Sequence, residues 1–123
     1  MTDISLSGVR VLVAEDEALV AMDLADMIEA EAGAVIGPFA TVHEAKEAAC
    51  ASSIDVALLD VRLKDGEVYP AADALRELGV PLVFHSGHVD RPYLEERYPG
   101  CQCCSKPSTS HALIRAMNAV TRP

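Results

Sequence analysis

Four groups of residues in this chain carry side chains able to do chemistry, and each stands after an apolar run. Val9, Val11, Leu12 and Val13 lead into Glu15, Asp16 and Glu17, and Val56 to Leu59 lead into Asp60. Leu82 to Phe84 precede Ser86, and Cys101 to Ser105 precede Lys106 and Pro107. A carboxylate such as Asp60 cannot be a core residue without a partner, because burying a lone charge is costly. It is expected to face the crevice above the strand ends, where open α/β sheets bind their ligands. Three successive carboxylates, with Asp60 beside them, repel one another and are hard to hold unless a cation sits among them. The pattern asks for a metal ion. A hydroxyl at Ser86 and an ammonium at Lys106 are groups that bind phosphate oxygens.

These groups need elements that bring them together. The run Val56 to Leu59 has no polar alternation, as in a strand buried on both faces of a parallel sheet. Between the apolar runs the period changes to that of helices. From Glu17 to Glu31, Leu19, Val20, Met22, Leu24, Met27 and Ile28 read as the inward face of a first helix closing near Gly33. Ala34 to Ile36 begin a second strand that Gly37-Pro38 is expected to break, and Thr41 to Glu44 has the spacing of a capping box opening a helix to about Ala51. A third helix is placed from Pro70, with Ala71, Ala74, Leu75 and Leu78 inward and Gly79 as its stop. The fourth strand is read as Val80 to Phe84. Between Gly87 and Gly100 the pattern is poor, and a short or irregular fourth helix is expected around Asp90-Arg91-Pro92. The last strand spans Cys101 to Ser105, followed by a helix with Leu113, Ile114, Met117 and Val120 on one face. Five strands alternating with five helices predict an α/β, doubly wound parallel sheet, in which the first, third and fourth strands bring their ends together.

Taken in order, Glu15 and Asp16, Asp60, Ser86 and Lys106-Pro107 resemble the site of the receiver domain of two-component response regulators. The likeness covers essentially the whole chain. A narrower one adds to it: Val83 to His88 (V-F-H-S-G-H) is similar to the F-A-T-G-Y signature of the FATGUY single-domain receivers, with Ser86 for the Thr and His88 for the Tyr. The resemblance implies a flavodoxin-like sheet of order 2-1-3-4-5 and a phosphoryl group accepted on Asp60. It implies magnesium held by Asp16, Glu15 (directly or through water), Asp60 and the main-chain carbonyl of Arg62. Lys106 would pair with Asp60 and then with the phosphoryl group, while Ser86 and the Gly87 amide take its remaining oxygens. The implied partners are a histidine kinase or histidine phosphotransfer protein and a downstream protein. Two departures stand out. Cys103 occupies the last-strand position where receivers carry an aromatic switch residue, and His88 follows a Gly that frees the backbone.

Length and composition bound the rest. At 123 residues the chain reads as a single receiver domain over 1–123 with no output domain, monomeric or weakly dimeric. A net charge of −9 argues against nucleic acid, and no run approaches the roughly 18 apolar residues of a membrane span. Without a secretion signal the protein is expected in the cytoplasm, with Cys50, Cys101, Cys103 and Cys104 reduced. A soft-metal site of the C-x-C-C cluster with His85 or His88 is the less favoured reading of those cysteines, since zinc sites space them more widely. The other histidines, His43 and His111, and Asp55 are read as structural. Two competing functions remain: an interaction module of constant shape that never takes phosphate, and an aspartate-nucleophile phosphatase of the haloacid dehalogenase type. The latter family places a second Asp where this chain has Arg62. The expectation is thus a phosphoacceptor, not an enzyme with an outside substrate, although it can catalyse its own phosphorylation and dephosphorylation.

Overall fold

A computed structural model of the chain describes residues 5–87 and 89–121. In chain order the elements are β1 (Arg10–Ala14), α1 (Ala18–Ala30), β2 (Ala34–Phe39), α2 (Val42–Ala51), β3 (Val56–Leu59), the short strands β4 (Arg62–Leu63) and β5 (Gly66–Glu67), α3 (Tyr69–Glu77), β6 (Leu82–Ser86), α4 (Arg91–Arg97), β7 (Gln102–Ser105) and α5 (Ser110–Thr121). Five strands form a parallel sheet of order β2-β1-β3-β6-β7, which is 2-1-3-4-5 when its own strands are counted. The other two form a small antiparallel hairpin directly after Asp60.

Helices cover both faces of the sheet, and strand alternation divides the core between them. Leu12, Ala57, Leu59 and Phe84 point toward α2, α3 and α4, where Ala45, Leu75 and Leu94 meet them. Val11, Val13, Leu58 and Val83 point the other way, onto Leu24 and Ile28 of α1 and Leu113 and Met117 of α5. Each fully buried side chain of this size contributes about 1.5–3 kcal/mol, so the central strands are the most firmly held part of the chain.

Local chemistry sets the helix ends. The Thr41 hydroxyl accepts from the Glu44 amide at 3.1 Å and donates to the Glu44 carboxylate at 2.9 Å, a capping box in which the return bond goes to the hydroxyl. At the end of α3, Gly79 has φ 78°, and the Val80 and Gly79 amides reach back to the Leu75 and Arg76 carbonyls, a Schellman closure.

Several sequence expectations are corrected. β2 does not stop at Gly37-Pro38 but runs to Phe39, with a register shift opposite Leu12 to Ala14. An edge strand can carry a proline because one side of its ladder is free. On α1 the inward face is Ala21, Leu24, Met27 and Ile28, while Leu19 and Met22 are 78% and 60% exposed. In α3, Ala74 is half-buried and Leu78, lying just past the last helical residue, is exposed. β6 runs two residues past Phe84, so His85 and Ser86 belong to the strand. The fourth helix is short as expected, but its far end is firmly tied: Tyr98 is 2% exposed, and its hydroxyl donates to Asp73 at 2.7 Å.

Candidate functional site

Backbone pairing at the upper edge of the sheet fixes the site. The Asp60 amide donates to the Ala14 carbonyl at 2.9 Å, the Glu15 amide to Phe39 at 2.9 Å, and the Lys106 amide to Ser86 at 2.9 Å. Each bond ties the residue after one strand to its neighbouring strand, so the side chains of Glu15, Asp60 and Lys106 converge. Ser86 pairs in register with Ser105 and is 6% exposed. Asp60, Ser86, Gly87 and Lys106 line a cavity of about 710 Å³.

The acidic residues come together as the sequence predicted. Glu15, Asp16 and Asp60 each present a carboxylate oxygen within 4.8 Å of the others. Glu15 and Asp60 are 2% and 7% exposed. Between them sits the Lys106 ammonium, 2.8 Å from each, with the exposed Glu17 carboxylate at 3.6 Å. Burial pushes the Glu15 carboxyl up to about 7, against hydrogen bonds from Lys106 and the Glu17 amide that hold it down, with Asp60 adding to the rise. For Lys106 burial acts to lower the pKa, but the bonds to Asp60 and Glu15 outweigh it and hold the ammonium above its ordinary value. One ammonium thus serves two enclosed carboxylates, and the deficit falls on the deeper one. The donor set is all hard oxygen, which fits magnesium or a similar divalent ion better than zinc or copper.

The loop after Asp60 is tightly held. Arg62 pairs with Glu67 in the hairpin, and its amide lies 3.5 Å from Asp60 Oδ1. Asp65 accepts from the Val42 and His43 amides at 2.6 and 3.2 Å, which fastens the hairpin to the start of α2 and holds its carboxyl below the usual range. Sequence reasoning assigned Asp65 no role.

Cys103 pairs with Phe84 and is buried, its sulfur 3.9 Å from that of Cys101. Both thiols belong to the α4 side of the core, whereas Cys104 packs on the side of α1 and α5. The C-x-C-C cluster therefore does not converge on one metal. Burial pushes the Cys101 thiol up to about 12. Gly87 is exposed, without a positive φ, and a Cβ there would meet nothing within 4 Å, so its backbone needs no special freedom. His88 lies outside the described residues.

Two features had escaped the sequence reading. His85 is buried, and neither ring nitrogen has a hydrogen-bond partner among the described residues; burial and the nearby Lys106 charge keep its pKa low. The second is an aromatic cluster joining α3 to α4. Tyr69 and Tyr93 meet edge to face, Arg97 lies 4.7 Å over the Tyr69 ring, and Asp73 accepts from both Arg97 and Tyr98. No periodic signal marks it, since three of its members lie in the poorly patterned segment.

No helix among the described residues is long and apolar enough to cross a membrane. The chain is 27% identical to a response regulator receiver protein from Sinorhizobium medicae, with a TM-score of 0.81 and coverage of 96% of this chain and 95% of that one. It is 31% identical to SdrG from Sphingomonas melonis, with a TM-score of 0.76 and 98% of each chain covered. Among curated proteins it is 33% identical over 87 residues to the transcriptional regulatory protein PdtaR of Mycobacterium tuberculosis, matching 70% of this chain and 42% of that protein, so it spans less than half of that relative's length. The family model of the response regulator receiver domain matches residues 11–118, and with the sheet order and the convergent strand ends this establishes that the chain belongs to the response regulator receiver domain family.

Proposed function

We propose that this protein acts as a response regulator receiver of a cytoplasmic phosphorelay, which accepts a phosphoryl group on Asp60 from a histidine kinase or histidine phosphotransfer protein. The observation that carries this reading is the Asp60 carboxylate in the lining of an open cavity, 2.8 Å from the Lys106 ammonium and clustered with Glu15 and Asp16. Nucleophilic attack by a carboxylate on phosphorus needs neutralised charge and a fixed line of approach. Asp60 Oδ1 is free of Lys106 and supplies the nucleophile, while Lys106 holds Oδ2 and keeps the carboxylate in one orientation. As charge arrives with the donor, Lys106 turns from Asp60 to the phosphoryl oxygens, and Ser86 and the Gly87 amide take those remaining. Magnesium, held by Glu15, Asp16, Asp60 and the Arg62 carbonyl, supplies further neutralisation of those oxygens when bound.

On this reading the protein acts on no outside substrate; it signals as a monomer or weak dimer, by passing its phosphoryl group on or by docking on a downstream protein. Cys103 is already packed inside against Cys101, so output does not use a rotating last-strand ring. The test is incubation with a labelled, phosphorylated histidine kinase, comparing the parent with Asp60→Asn. Transfer that the substitution abolishes supports the reading. Specific binding to a signalling partner with no transfer from any kinase of the same cell would favour the constant-shape module instead.

A further inference from the structure

The wall of the Asp60 cavity carries two rings for which phosphoryl acceptance alone has no use. Tyr69, the first residue of α3, and Tyr93, in the first turn of α4, both line it. Their centroids are 5.6 Å apart with planes at 65°. They are held from behind. Arg97 lies over the Tyr69 ring and donates to the Tyr93 hydroxyl at 2.6 Å and to Asp73 at 2.8 Å, and Asp73 also anchors the buried Tyr98. Rings fixed in this way lose little freedom when something settles on them. Tyr93 nevertheless remains 42% exposed, so part of its surface is free. Five carboxylates, among them Glu67 and Asp90 beside the tyrosines, face this cavity against the two basic side chains of Arg62 and Lys106.

We propose that Tyr69 and Tyr93 form the seat for the donor's leaving group, and that this seat selects a flat imidazole, as in a phosphohistidine, over a carboxylate. The proposal rests on Asp60 being the phosphoacceptor. In the transfer an Asp60 oxygen forms the new bond to phosphorus and the P–N bond breaks, its electron pair staying on the ring nitrogen. The ring, protonated on its other nitrogen in the donor, keeps that proton and departs as neutral imidazole. Such a ring gains by lying against an aromatic edge or face. An acyl phosphate releases a carboxylate anion instead, which gains nothing there and is repelled by Glu67 and Asp90.

The experiment measures labelling of Asp60 by phosphoimidazole and by acetyl phosphate in parallel, on the same preparation of each protein. Their rate ratio is expected to fall about three- to tenfold in Tyr93→Leu and Tyr69→Leu, the range that one aromatic pair supplies. Tyr93→Phe, which keeps the ring, restores most of the ratio, and Leu78→Ala, outside the cavity, does not move it. Because both rates come from one sample, a misfolded fraction cancels. Label from both donors with an unmoved ratio in Tyr93→Leu overturns the seat alone. No label from either donor in the parent overturns the phosphoacceptor reading, and the seat with it.

Discussion

Replacing Lys106 by Met removes, among the described residues, the one cation that lies between two enclosed carboxylates. Glu15 and Asp60 each hold it at 2.8 Å, and both are almost fully buried. Removing one partner of a buried ion pair costs about 3–5 kcal/mol when the remaining charge cannot escape. Here two escapes reduce the cost. The Lys106 side chain keeps 19% of its surface exposed, so water reaches the gap, and Glu15, already at about 7, can take up a proton. About half the full penalty remains, roughly 2 kcal/mol. With a urea slope of about 1–3 kcal/mol/M, the unfolding midpoint should fall by roughly 1 M in metal-free buffer at pH 8. Adding Glu15→Gln to Lys106→Met should recover at least half of the loss, because the stranded charge is gone. Magnesium should also recover part of it, by binding the folded form. If Lys106→Met unfolds at the parent's midpoint without metal, the carboxylates are not held by this ammonium and the electrostatic account of the site is wrong.

Four further outcomes follow from the structure. Since Glu15 is raised to about 7, its proton competes with a bound cation, so magnesium affinity by calorimetry should fall as pH drops through 7, and Glu15→Gln should flatten that dependence. The sign for folding is set by the same shift: protonation favours the folded metal-free protein, so this group's contribution is complete below about 4.5 and is lost as pH rises through 7, which a stability profile of the parent against Glu15→Gln would reveal. Tyr98→Phe removes one hydrogen bond to a carboxylate and should cost about 1 kcal/mol in denaturant unfolding, whereas Tyr98→Ala, which empties a core position, should cost about 3–5 kcal/mol. Gly33→Ala would place a methyl 2.7 Å from Ile28 Cγ2 and 3.1 Å from Leu6 Cβ, both buried, and should destabilise by about 1–3 kcal/mol; a neutral result would mean that the turn after α1 adjusts freely.

The sheet and the strand-end residues were readable because each rests on a local rule. A short apolar run without alternation must be buried on both faces, and a charge at its end must open onto a crevice, so Asp60 and Lys106 were placed without any knowledge of pairing. The same holds for the Thr41 cap and the Gly79 stop. Failures came where tertiary context decides. Leu19 and Met22 match a helical period, yet which arc of α1 faces the sheet depends on how Ala21, Leu24 and Ile28 fit it. Gly37-Pro38 looks like a break, but at a sheet edge the strand can shift register and continue to Phe39.

Long-range side-chain networks left the least trace. Asp65 caps a helix more than twenty positions earlier in the chain, and Asp73 binds Arg97 and Tyr98 from another element. Neither partner can be named from spacing. The poorly patterned stretch from Gly87 to Gly100 gave no sign of what anchors it, and the fold shows Leu94 and Tyr98 holding its helix in the core. His85 shows the opposite limit: from sequence it stood just past the fourth strand, named only as a less favoured ligand of the cysteine cluster, and the fold reveals both its nitrogens enclosed without a partner among the described residues.

The claim that Asp60 takes the phosphoryl group is tested most directly by chemical mapping of the adduct. The protein is incubated with a phosphorylated histidine kinase and magnesium, reduced with borohydride, and digested. Reduction converts an aspartyl phosphate to homoserine, which mass spectrometry locates. The account predicts homoserine at position 60, absent when magnesium is chelated and absent in Asp60→Asn. Homoserine at another aspartate of the parent, with position 60 unmodified, would contradict it.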